Sequence, residues 1–194
     1  MNASPRPGAV SRAAIALAAW LVAVSAASAQ DAALEAAAPD APPPASGAVA
    51  AGVGPVTHLP LPRYVSMRGE SANARRGPSL DQRVDWQFLR RGQPLEITGE
   101  YGNWRRVRDA DGAGGWVHQA LLSGTRTALV LGSETVALRE EPAEASRVVA
   151  RAEPGVIGRL DACEGAWCEI TAGGIDGWLP RSAIWGVGPD ETID

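Results

Sequence analysis

The sequence predicts an all-β protein in which two small β-barrels follow one another along the chain. The stretch GGWVHQALLSG (residues 114–124) returns as DGWLPRSAIWG (residues 176–186), with Gly-Trp, an apolar position, a polar turn and a closing glycine at the same offsets. Short segments alternate apolar and polar residues, as half-buried strands do, and no segment after Thr57 carries a sustained helical apolar stripe. Roughly five or six short strands in about sixty residues are too few for a large sandwich but can close into a small barrel.

Residues 1–29 are predicted to be a cleavable signal peptide. Arg6 and Arg12 give a positively charged start, residues 13–27 are almost wholly apolar, and Ala27-Ser28-Ala29 offers the small residues that a signal peptidase reads. A retained membrane anchor is the alternative, but a spanning helix needs about 20 apolar residues and this run is shorter. We therefore expect an exported, periplasmic protein that meets the membrane only through this segment, before its cleavage.

Residues 30–60 are predicted to form a flexible linker rich in alanine and proline. The stretch up to Pro55 has one leucine and no aromatic residue, so it cannot bury enough apolar area to offset its ordering entropy. The run Pro42-Pro43-Pro44 could serve as a polyproline ligand, although proline is far commoner in linkers. The remaining chain divides into a first barrel over 61–125, a second barrel over 126–187 and a tail over 188–194.

The two halves stay in register over most of their length. The spacing from Arg75 to Trp104 is 29 residues, and the equivalent spacing in the second half is 28. One-residue differences are what turns of different length produce, so the halves are predicted to be one module written twice. This alignment places Val149 opposite Trp86, Arg151 opposite Phe88 and Ala162 opposite Tyr101.

The two cysteines, Cys163 and Cys168, are predicted to form a disulfide. They enclose four residues, the length of a hairpin turn, and facing strand positions across such a turn can meet disulfide geometry. An exported protein favours this pairing over a reactive thiol. A zinc site would need two further ligands, and only His58 and His118 could supply imidazole, so neither a metal nor another cofactor is expected.

Charge divides unevenly between the halves. All eighteen basic residues are arginine, and residues 61–125 hold ten of them against seven acidic residues, whereas residues 126–194 hold six against twelve. The simplest interpretation is two solvated surfaces; attraction between the halves, or an anionic partner of the first half such as a cell-wall carboxylate, would also fit. Nucleic acid is not expected as a partner, because the chain as a whole carries a formal charge of −4.

The motifs of the first half resemble the bacterial SH3 domain. NARRGPS matches that family's N-x-R-x-G-P-like opening, and GNW followed by GWVHQALL matches its closing G-W-V before a short 3₁₀ turn. The second half keeps the closing signature in DGWLPRSAI but departs at its opening, where Glu140-Glu141 and Ala137 replace the family residues. The resemblance covers residues 61–187 and implies two SH3-like barrels in tandem, a periplasmic location and no known reaction.

The sequence does not predict an enzyme. Exported cell-wall enzymes with such modules use a nucleophilic cysteine backed by a histidine, and here the cysteines are better explained as a disulfide. Ser66 or Ser123 with His118 could be imagined as a hydrolase pair, but nothing around them resembles a nucleophile elbow. His118 corresponds to Pro180 in the second half and is interpreted as an exposed turn residue.

The differences between the halves indicate where a ligand could bind. The paired tryptophans Trp104/Trp167 and Trp116/Trp178 are interpreted as structural, since both copies carry them. Aromatic residues interleaved with arginine suit a peptide or glycan-peptide that bears carboxylates. The candidate ligand-binding residues, all in the first half, are Trp86, Tyr101, Arg75, Arg76 and Arg105.

We therefore expect a non-catalytic module that recognises a peptidoglycan peptide or a periplasmic protein, mainly through the first barrel. The alternative is a structural scaffold of an envelope complex, in which the two barrels form a rigid spacer and bind no small ligand. Polyproline recognition is not supported, because the first half has only one tyrosine after Tyr64 and the second half has none.

Overall fold

A computed structural model describes residues 52–193, so the predicted signal peptide and residues 30–51 of the predicted linker lie outside the described part. Between residues 52 and 193 the chain forms sixteen strands, two 3₁₀ turns and no α-helix, which confirms the all-β prediction. This part contains no helix long and apolar enough to cross a membrane. The strands are β1 (Gly52–Val53), β2 (Pro60–Leu61), β3 (Arg63–Met67), β4 (Ala72–Arg75), β5 (Val84–Phe88), β6 (Pro94–Tyr101), β7 (Trp104–Arg108), β8 (Gly114–His118), β9 (Leu122–Ser123), β10 (Thr127–Val130), β11 (Val136–Arg139), β12 (Val148–Ala152), β13 (Ile157–Glu164), β14 (Trp167–Ala172), β15 (Ile175–Pro180) and β16 (Ile184–Trp185).

The two halves build the same antiparallel sheet. In the first half the strand order is β5-β4-β8-β7-β6-β3-β9, and in the second it is β12-β11-β15-β14-β13-β10-β16, which is the same order under the repeat. Each sheet wraps around its own apolar cluster, so the tandem-barrel prediction is confirmed. Buried residues at the centre are Met67, Phe88, Leu95, Ile97, Val107 and Val117 in the first barrel, and Val130, Leu138, Leu160, Ile170 and Leu179 in the second.

Equivalent turns show how closely the copies correspond. Gln93 N–H donates to the Arg90 carbonyl in the first barrel, and Val156 N–H donates to the Glu153 carbonyl in the second. Each turn carries a glycine with positive φ at its third position, because the backbone there takes a conformation that favours glycine: φ is 74° at Gly92 and 82° at the equivalent glycine.

Strand register corrects the predicted alignment of the copies at three positions. Trp86 faces Ala74 across β4 and β5, and the equivalent pair in the second barrel is Ala150 with Leu138. Ala150, not Val149, is therefore the counterpart of Trp86. By the same registers Ala152, not Arg151, is the counterpart of Phe88, and Glu164, not Ala162, is the counterpart of Tyr101. At Trp86 and Phe88 the shift arises because the turn from β12 to β13 is one residue shorter than the turn from β5 to β6, so an alignment through Gly92 and Gly155 is displaced by one residue in the preceding strands.

The β6–β7 and β13–β14 hairpins each place one inward-facing pair near the tip. In the second barrel this pair is Cys163 and Cys168, which face each other and form the predicted disulfide, so that prediction is confirmed. In the first barrel the equivalent pair is Glu100 and Arg105. Both side chains are buried, and Arg105 Nε lies 3.5 Å from Glu100 Oε1. A covalent bond and a buried ion pair therefore occupy the same place in the two copies.

Glu100 also anchors the segment before the first barrel. Its Oε2 accepts hydrogen bonds from the backbone N–H groups of Val56 at 3.0 Å and Thr57 at 2.9 Å. Its Oε1 accepts from the Thr57 hydroxyl at 2.6 Å and from Arg63 Nη2 at 2.7 Å. Gly54 packs so closely on this carboxylate that an added Cβ would lie 2.4 Å from Oε2.

Residues 52–61 consequently differ from the flexible linker that composition predicts. They form the short β1–β2 hairpin, and its turn is tied to the first barrel through Glu100. A carboxylate in the following domain supplies the ordering energy that the segment's own apolar side chains cannot. We call residues 52–61 the N-terminal strap.

The predicted tail over 188–194 is likewise ordered through residue 193. Cys163 N–H donates to the Ile193 carbonyl at 3.0 Å. Glu191 pairs with Arg126, whose Nη2 lies 3.0 Å from Glu191 Oε2, and Arg181 Nη1 donates to the carbonyl of Glu191 at 2.8 Å. In each barrel a chain-terminal segment therefore binds the equivalent hairpin: residues 52–61 contact β6–β7, and the tail contacts β13–β14.

The free energy of unfolding is expected to fall as the pH drops from about 4.5 toward 2. Burial would raise the pKa of Glu100, but hydrogen bonds from Thr57, Arg63 and Val56 outweigh it and lower the pKa from 4.5 to about 2. Because the folded pKa lies below the unfolded one, the stabilisation is complete above about 4.5 and is lost as the folded carboxyl protonates.

Glu100→Gln should remove this part of the pH dependence and lower the free energy of unfolding at neutral pH by about 3 kcal/mol, since one buried charge would lose its partner. Urea unfolding followed by tryptophan fluorescence at several pH values measures both effects. Glu164→Gln, at an exposed hairpin position of the second barrel, is the matched control. Identical pH profiles for the wild type and Glu100→Gln would contradict the role of the anchor.

Loss of the disulfide should destabilise the second barrel. Replacing both Cys163 and Cys168 with serine is expected to lower its free energy of unfolding by about 2 kcal/mol, the entropy term for so short a closed loop. Thermal unfolding of the variant, compared with wild type in the presence and absence of a thiol reductant, measures this. A reductant that leaves the wild-type midpoint unchanged, although mass spectrometry shows two free thiols, would refute the prediction.

Candidate functional site

A cleft of about 270 Å³ opens on the first barrel, where β4 and β5 approach the 3₁₀ turn after β8. Strands β4 and β5 supply polar side chains to one side, β7 and β8 supply aromatic rings, and the loop between β4 and β5 contributes an exposed leucine. We call it the first-barrel cleft. Its lining residues are Ser71, Ala72, Asn73, Arg75, Leu80, Gln87, Trp104, His118 and Leu121.

A row of aromatic side chains crosses three strands beside this cleft. Tyr101 faces Trp104 across β6 and β7, and Trp104 faces His118 across β7 and β8. The rings of Trp104 and His118 meet edge to face, with centroids 5.5 Å apart and planes at 90°. Tyr101 is 59% exposed and completes the row on the open side. Such a row offers apolar faces on which a flat or aliphatic group can pack.

His118 has a defined orientation in this row. Its Nδ1 accepts the backbone N–H of Ala120 at 3.3 Å, which caps the 3₁₀ turn. In the neutral imidazole the proton then resides on Nε2, so that nitrogen is a hydrogen-bond donor. The sequence predicts an exposed turn residue here, because the counterpart of His118 is Pro180. Because the second barrel folds with proline at this position, the imidazole of His118 is not required by the fold.

Two amide side chains form the polar side of the cleft. Gln87 Nε2 donates to Asn73 Oδ1 at 3.1 Å, across neighbouring positions of β4 and β5. This bond leaves the Asn73 Nδ2 hydrogens and the Gln87 Oε1 lone pairs directed away from it. A donor and an acceptor side by side match the carbonyl and N–H groups of a peptide bond.

Arg75 lines the cleft but also holds the loop after β4. Its Nη1 donates to the Gln82 carbonyl at 2.7 Å, and in the second barrel Arg139 Nη1 makes the equivalent bond to the Ser146 carbonyl at 2.8 Å. Both copies therefore use this arginine to brace the same loop. The presence of this arginine in both copies is explained by the loop that it braces. A contact with a ligand would be a second role of Arg75.

Arg105 does not lie on a ligand surface, contrary to the sequence prediction. The residue is 4% exposed, and its Nη1 donates to the Gly102 and Trp104 carbonyls while Nη2 donates to Gln119 Oε1 at 2.8 Å. Together with the Glu100 contact, these bonds engage the whole guanidinium. Arg105 was mistaken for a surface residue because the sequence does not show that a buried carboxylate faces it.

The remaining predicted ligand residues lie outside the cleft. Trp86 is 46% exposed on the outermost strand of the sheet, and Arg76 is exposed and pairs with Asp85 at 3.1 Å. Among the tryptophans interpreted as structural, Trp116 is buried, whereas Trp104 is only partly buried and contributes to the cleft. Trp167 and Trp178 are partly buried in the second barrel.

The second barrel keeps the frame of the cleft and changes its chemistry. Trp167 occupies the position of Trp104, and Arg139 that of Arg75. The side chains that give the first cleft its hydrogen-bonding and apolar character are replaced. Asn73, Leu80, Gln87, Tyr101 and His118 correspond to Ala137, Glu144, Arg151, Glu164 and Pro180.

The serine–histidine pairs considered from the sequence are not formed in residues 52–193. His118 uses Nδ1 for the turn and packs on Trp104, whereas the Ser123 hydroxyl donates to Thr125 Oγ1 at 3.1 Å. Ser66 faces Ser123 across β3 and β9, and among the described residues neither serine hydrogen-bonds to His118. In the same range no group of three His, Cys, Asp or Glu residues could hold a metal ion.

Comparison with known proteins identifies the module. Among solved structures, NlpC2 and NlpC1 from Trichomonas vaginalis are similar to the chain at 14% identity each. The matches cover 64% and 63% of this chain and 48% and 45% of theirs, with a TM-score of 0.29 in both cases. The chain thus spans about half the length of these structures.

No protein of curated function matches the chain. The model of the bacterial SH3 domain family matches twice, over residues 68–124 and 132–186. Each match falls on one barrel, in agreement with the shared strand order and the equivalent turns. Domains of this family are typically non-catalytic binding modules. The chain belongs to the bacterial SH3 domain family and carries two of its domains in tandem.

Proposed function

We propose that the protein is a non-catalytic recognition module of the bacterial cell envelope that binds a peptidoglycan peptide or a short periplasmic protein segment through its first barrel. The first-barrel cleft carries this proposal. Asn73 and Gln87 present a donor and an acceptor beside the rings of Trp104 and His118. A peptide bond next to an aliphatic side chain satisfies both parts of this surface.

The comparison of copies supports this assignment. The second barrel folds with Ala137 and Pro180 in place of Asn73 and His118, so neither polar side chain is required for the barrel. Side chains that the scaffold does not need, gathered around one cleft, are best explained by a ligand. The first barrel is therefore the binding barrel in this proposal.

An oxidising location agrees with the chemistry of the second barrel. The disulfide between Cys163 and Cys168 persists in the periplasm or outside the cell and is uncommon in a reducing cytosol. The signal peptide predicted from residues 1–29 would deliver the chain to such a location. Both features favour a ligand from the envelope.

A double substitution to the residues of the second barrel tests the cleft. Asn73→Ala with His118→Pro should reduce the fraction of protein that sediments with isolated peptidoglycan sacculi, with an apparent affinity about tenfold lower, because one or two hydrogen bonds to the ligand are lost. Sedimentation over a range of sacculus concentrations measures this. The fold accepts both residues at the equivalent positions.

Val148→Ala, on the outermost strand of the second barrel, is the matched control and should bind like wild type. Trp86→Ala separates the cleft from the neighbouring edge of the first barrel and should also leave binding unchanged. Wild-type protein that stays in the supernatant would exclude the wall as the ligand. Binding lost in Trp86→Ala and kept in the cleft variant would move the site to the β5 edge.

A structural scaffold is the second candidate, favoured by contacts that join the barrels. Tyr64 of the first barrel meets Trp185 of the second edge to face, with centroids 5.2 Å apart. The Arg126 guanidinium lies 5.7 Å from the centre of the Tyr64 ring, and Thr127 Oγ1 donates to the Gly92 carbonyl at 2.7 Å. Such contacts hold the two barrels in one arrangement, as a spacer requires.

Removing the shared ring should loosen the tandem without unfolding either barrel. Tyr64→Ala is expected to cost about 1–2 kcal/mol of contact between the barrels and to split thermal unfolding into two separate transitions. Calorimetry measures the split, and small-angle scattering measures the accompanying gain in radius of gyration. Tyr101→Ala, which removes an exposed tyrosine of the same barrel, should do neither. A single unchanged transition in Tyr64→Ala would argue against a rigid spacer.

A further inference from the structure

A second pocket, of about 200 Å³, lies where the chain passes from the first barrel to the second. We call it the junction pocket. It is lined by guanidinium and hydroxyl groups and by no carboxylate among the described residues. The side chains that matter here are those of Ser66, Arg68, Arg91, Ser123, Thr125 and Thr127.

Backbone hydrogen bonds fix the positions of the two arginines. Gly92 N–H donates to the Met67 carbonyl at 2.9 Å. Arg68 directly follows Met67 in the chain, and Arg91 directly precedes Gly92, so this bond holds the two arginines close together. Arg68 N–H is also held, by the Leu121 carbonyl at 2.8 Å. The backbone is therefore rigid at the base of both side chains, while the side chains themselves extend toward solvent.

The two arginines and Ser66 of this pocket are little used within the protein, whereas the hydroxyls of Ser123 and Thr127 already donate to Thr125 Oγ1 and the Gly92 carbonyl. Arg91 has one distant contact, 3.8 Å from Glu70, between two side chains that are both more than 70% exposed, and such a pair contributes little. Arg68 makes no ion pair with another described residue. Ser66 is 3% exposed, and its hydroxyl makes no hydrogen bond within residues 52–193, although it lines the pocket. The Ser66 oxygen is not among the enclosed unpaired polar atoms of the described residues, so this hydroxyl is open to the pocket.

The second barrel shows that the fold does not require this polarity. Strand pairing and equivalent backbone bonds align Ser66 and Ser123 with Leu129 and Trp185. They also align Arg68 and Arg91 with Leu131 and Pro154. All four polar positions are thus apolar in the other copy.

We propose that the junction pocket binds a tetrahedral oxyanion, the phosphate group of a phosphate ester or of a lipid headgroup. Two guanidinium groups and the hydroxyls of Ser66 and Thr125 provide more donors than the two oxygens of a carboxylate can accept, whereas three or four phosphate oxygens can use them. Thr127 belongs to the second barrel and closes one side by its bond to Gly92, so the pocket requires the tandem.

This site is separate from the first-barrel cleft and does not depend on the proposed function. Titration of the purified protein with inorganic phosphate, followed by amide NMR shifts, should show saturable changes confined to residues around Gly92 and Ser123. Arg68→Leu with Arg91→Pro, the residues of the second barrel, should raise the dissociation constant at least about tenfold, since two charge-assisted contacts are lost. Should Arg68→Leu fail to fold, Arg68→Gln replaces it.

Arg151→Gln is the matched control, because it removes an exposed arginine of the second barrel and introduces the residue found at the equivalent position of the first. It should change the constant by less than about twofold. The cleft variant Asn73→Ala with His118→Pro should also keep phosphate binding, so failure of one site is distinguishable from failure of the other.

Two further titrations identify the source of the phosphate. Glycerol 3-phosphate that saturates the pocket, without binding to phosphatidylglycerol vesicles, indicates a soluble or wall ester. Vesicle binding that the double arginine variant loses indicates a lipid headgroup. The proposal is overturned by an absence of saturable shifts, by acetate binding as tightly as phosphate, or by a loss of affinity in Arg151→Gln equal to that in the double variant.

Discussion

The structure depends on how each small barrel closes the end of its longest hairpin. A barrel of about sixty residues buries little apolar surface, so it cannot offset the cost of buried polar groups without partners at this position. The first barrel fills the position with Glu100 and Arg105, and the second fills it with a disulfide. The ion pair must be fully hydrogen-bonded to be tolerated. The N-terminal strap supplies the missing donors, so this carboxylate orders a segment whose composition alone predicts disorder.

The disulfide makes different demands on its surroundings. It carries no charge, needs no donors and leaves only backbone groups to be paired, which the tail satisfies through Ile193. The second barrel can therefore be stable with fewer polar side chains than the first. This difference explains why the first copy needs the strap, whose Val56 and Thr57 N–H groups bind Glu100, and the second needs no such donors.

The fold could be predicted from the sequence because both halves carry the turn and strand signals that the barrel requires. Gly-Trp pairs and the facing cysteines follow local rules of turns and strands, so they could be predicted. The bracing bond of Arg75 could not, since the sequence predicts this arginine as a ligand contact. The alignment failed at Trp86 because the turn after β12 is one residue shorter than the turn after β5, and the sequence does not show where in the segment the missing residue falls. Arg105 was misplaced because its partner, Glu100, is recognisable only once the hairpin register is known.

The two polar sites were harder to predict for a related reason. The amides of the first-barrel cleft come from β4 and β5, its rings from β7 and β8, and no local motif joins them. Strand register and equivalent backbone bonds show that Asn73, Arg68 and Arg91 stand where the other copy has Ala137, Leu131 and Pro154. In a tandem repeat the second copy acts as an internal control, because it shows which side chains the scaffold can lose. What the first barrel retains beyond that requirement is concentrated on its cleft and at the junction, and the contacts from Tyr64 to Trp185 hold the junction together.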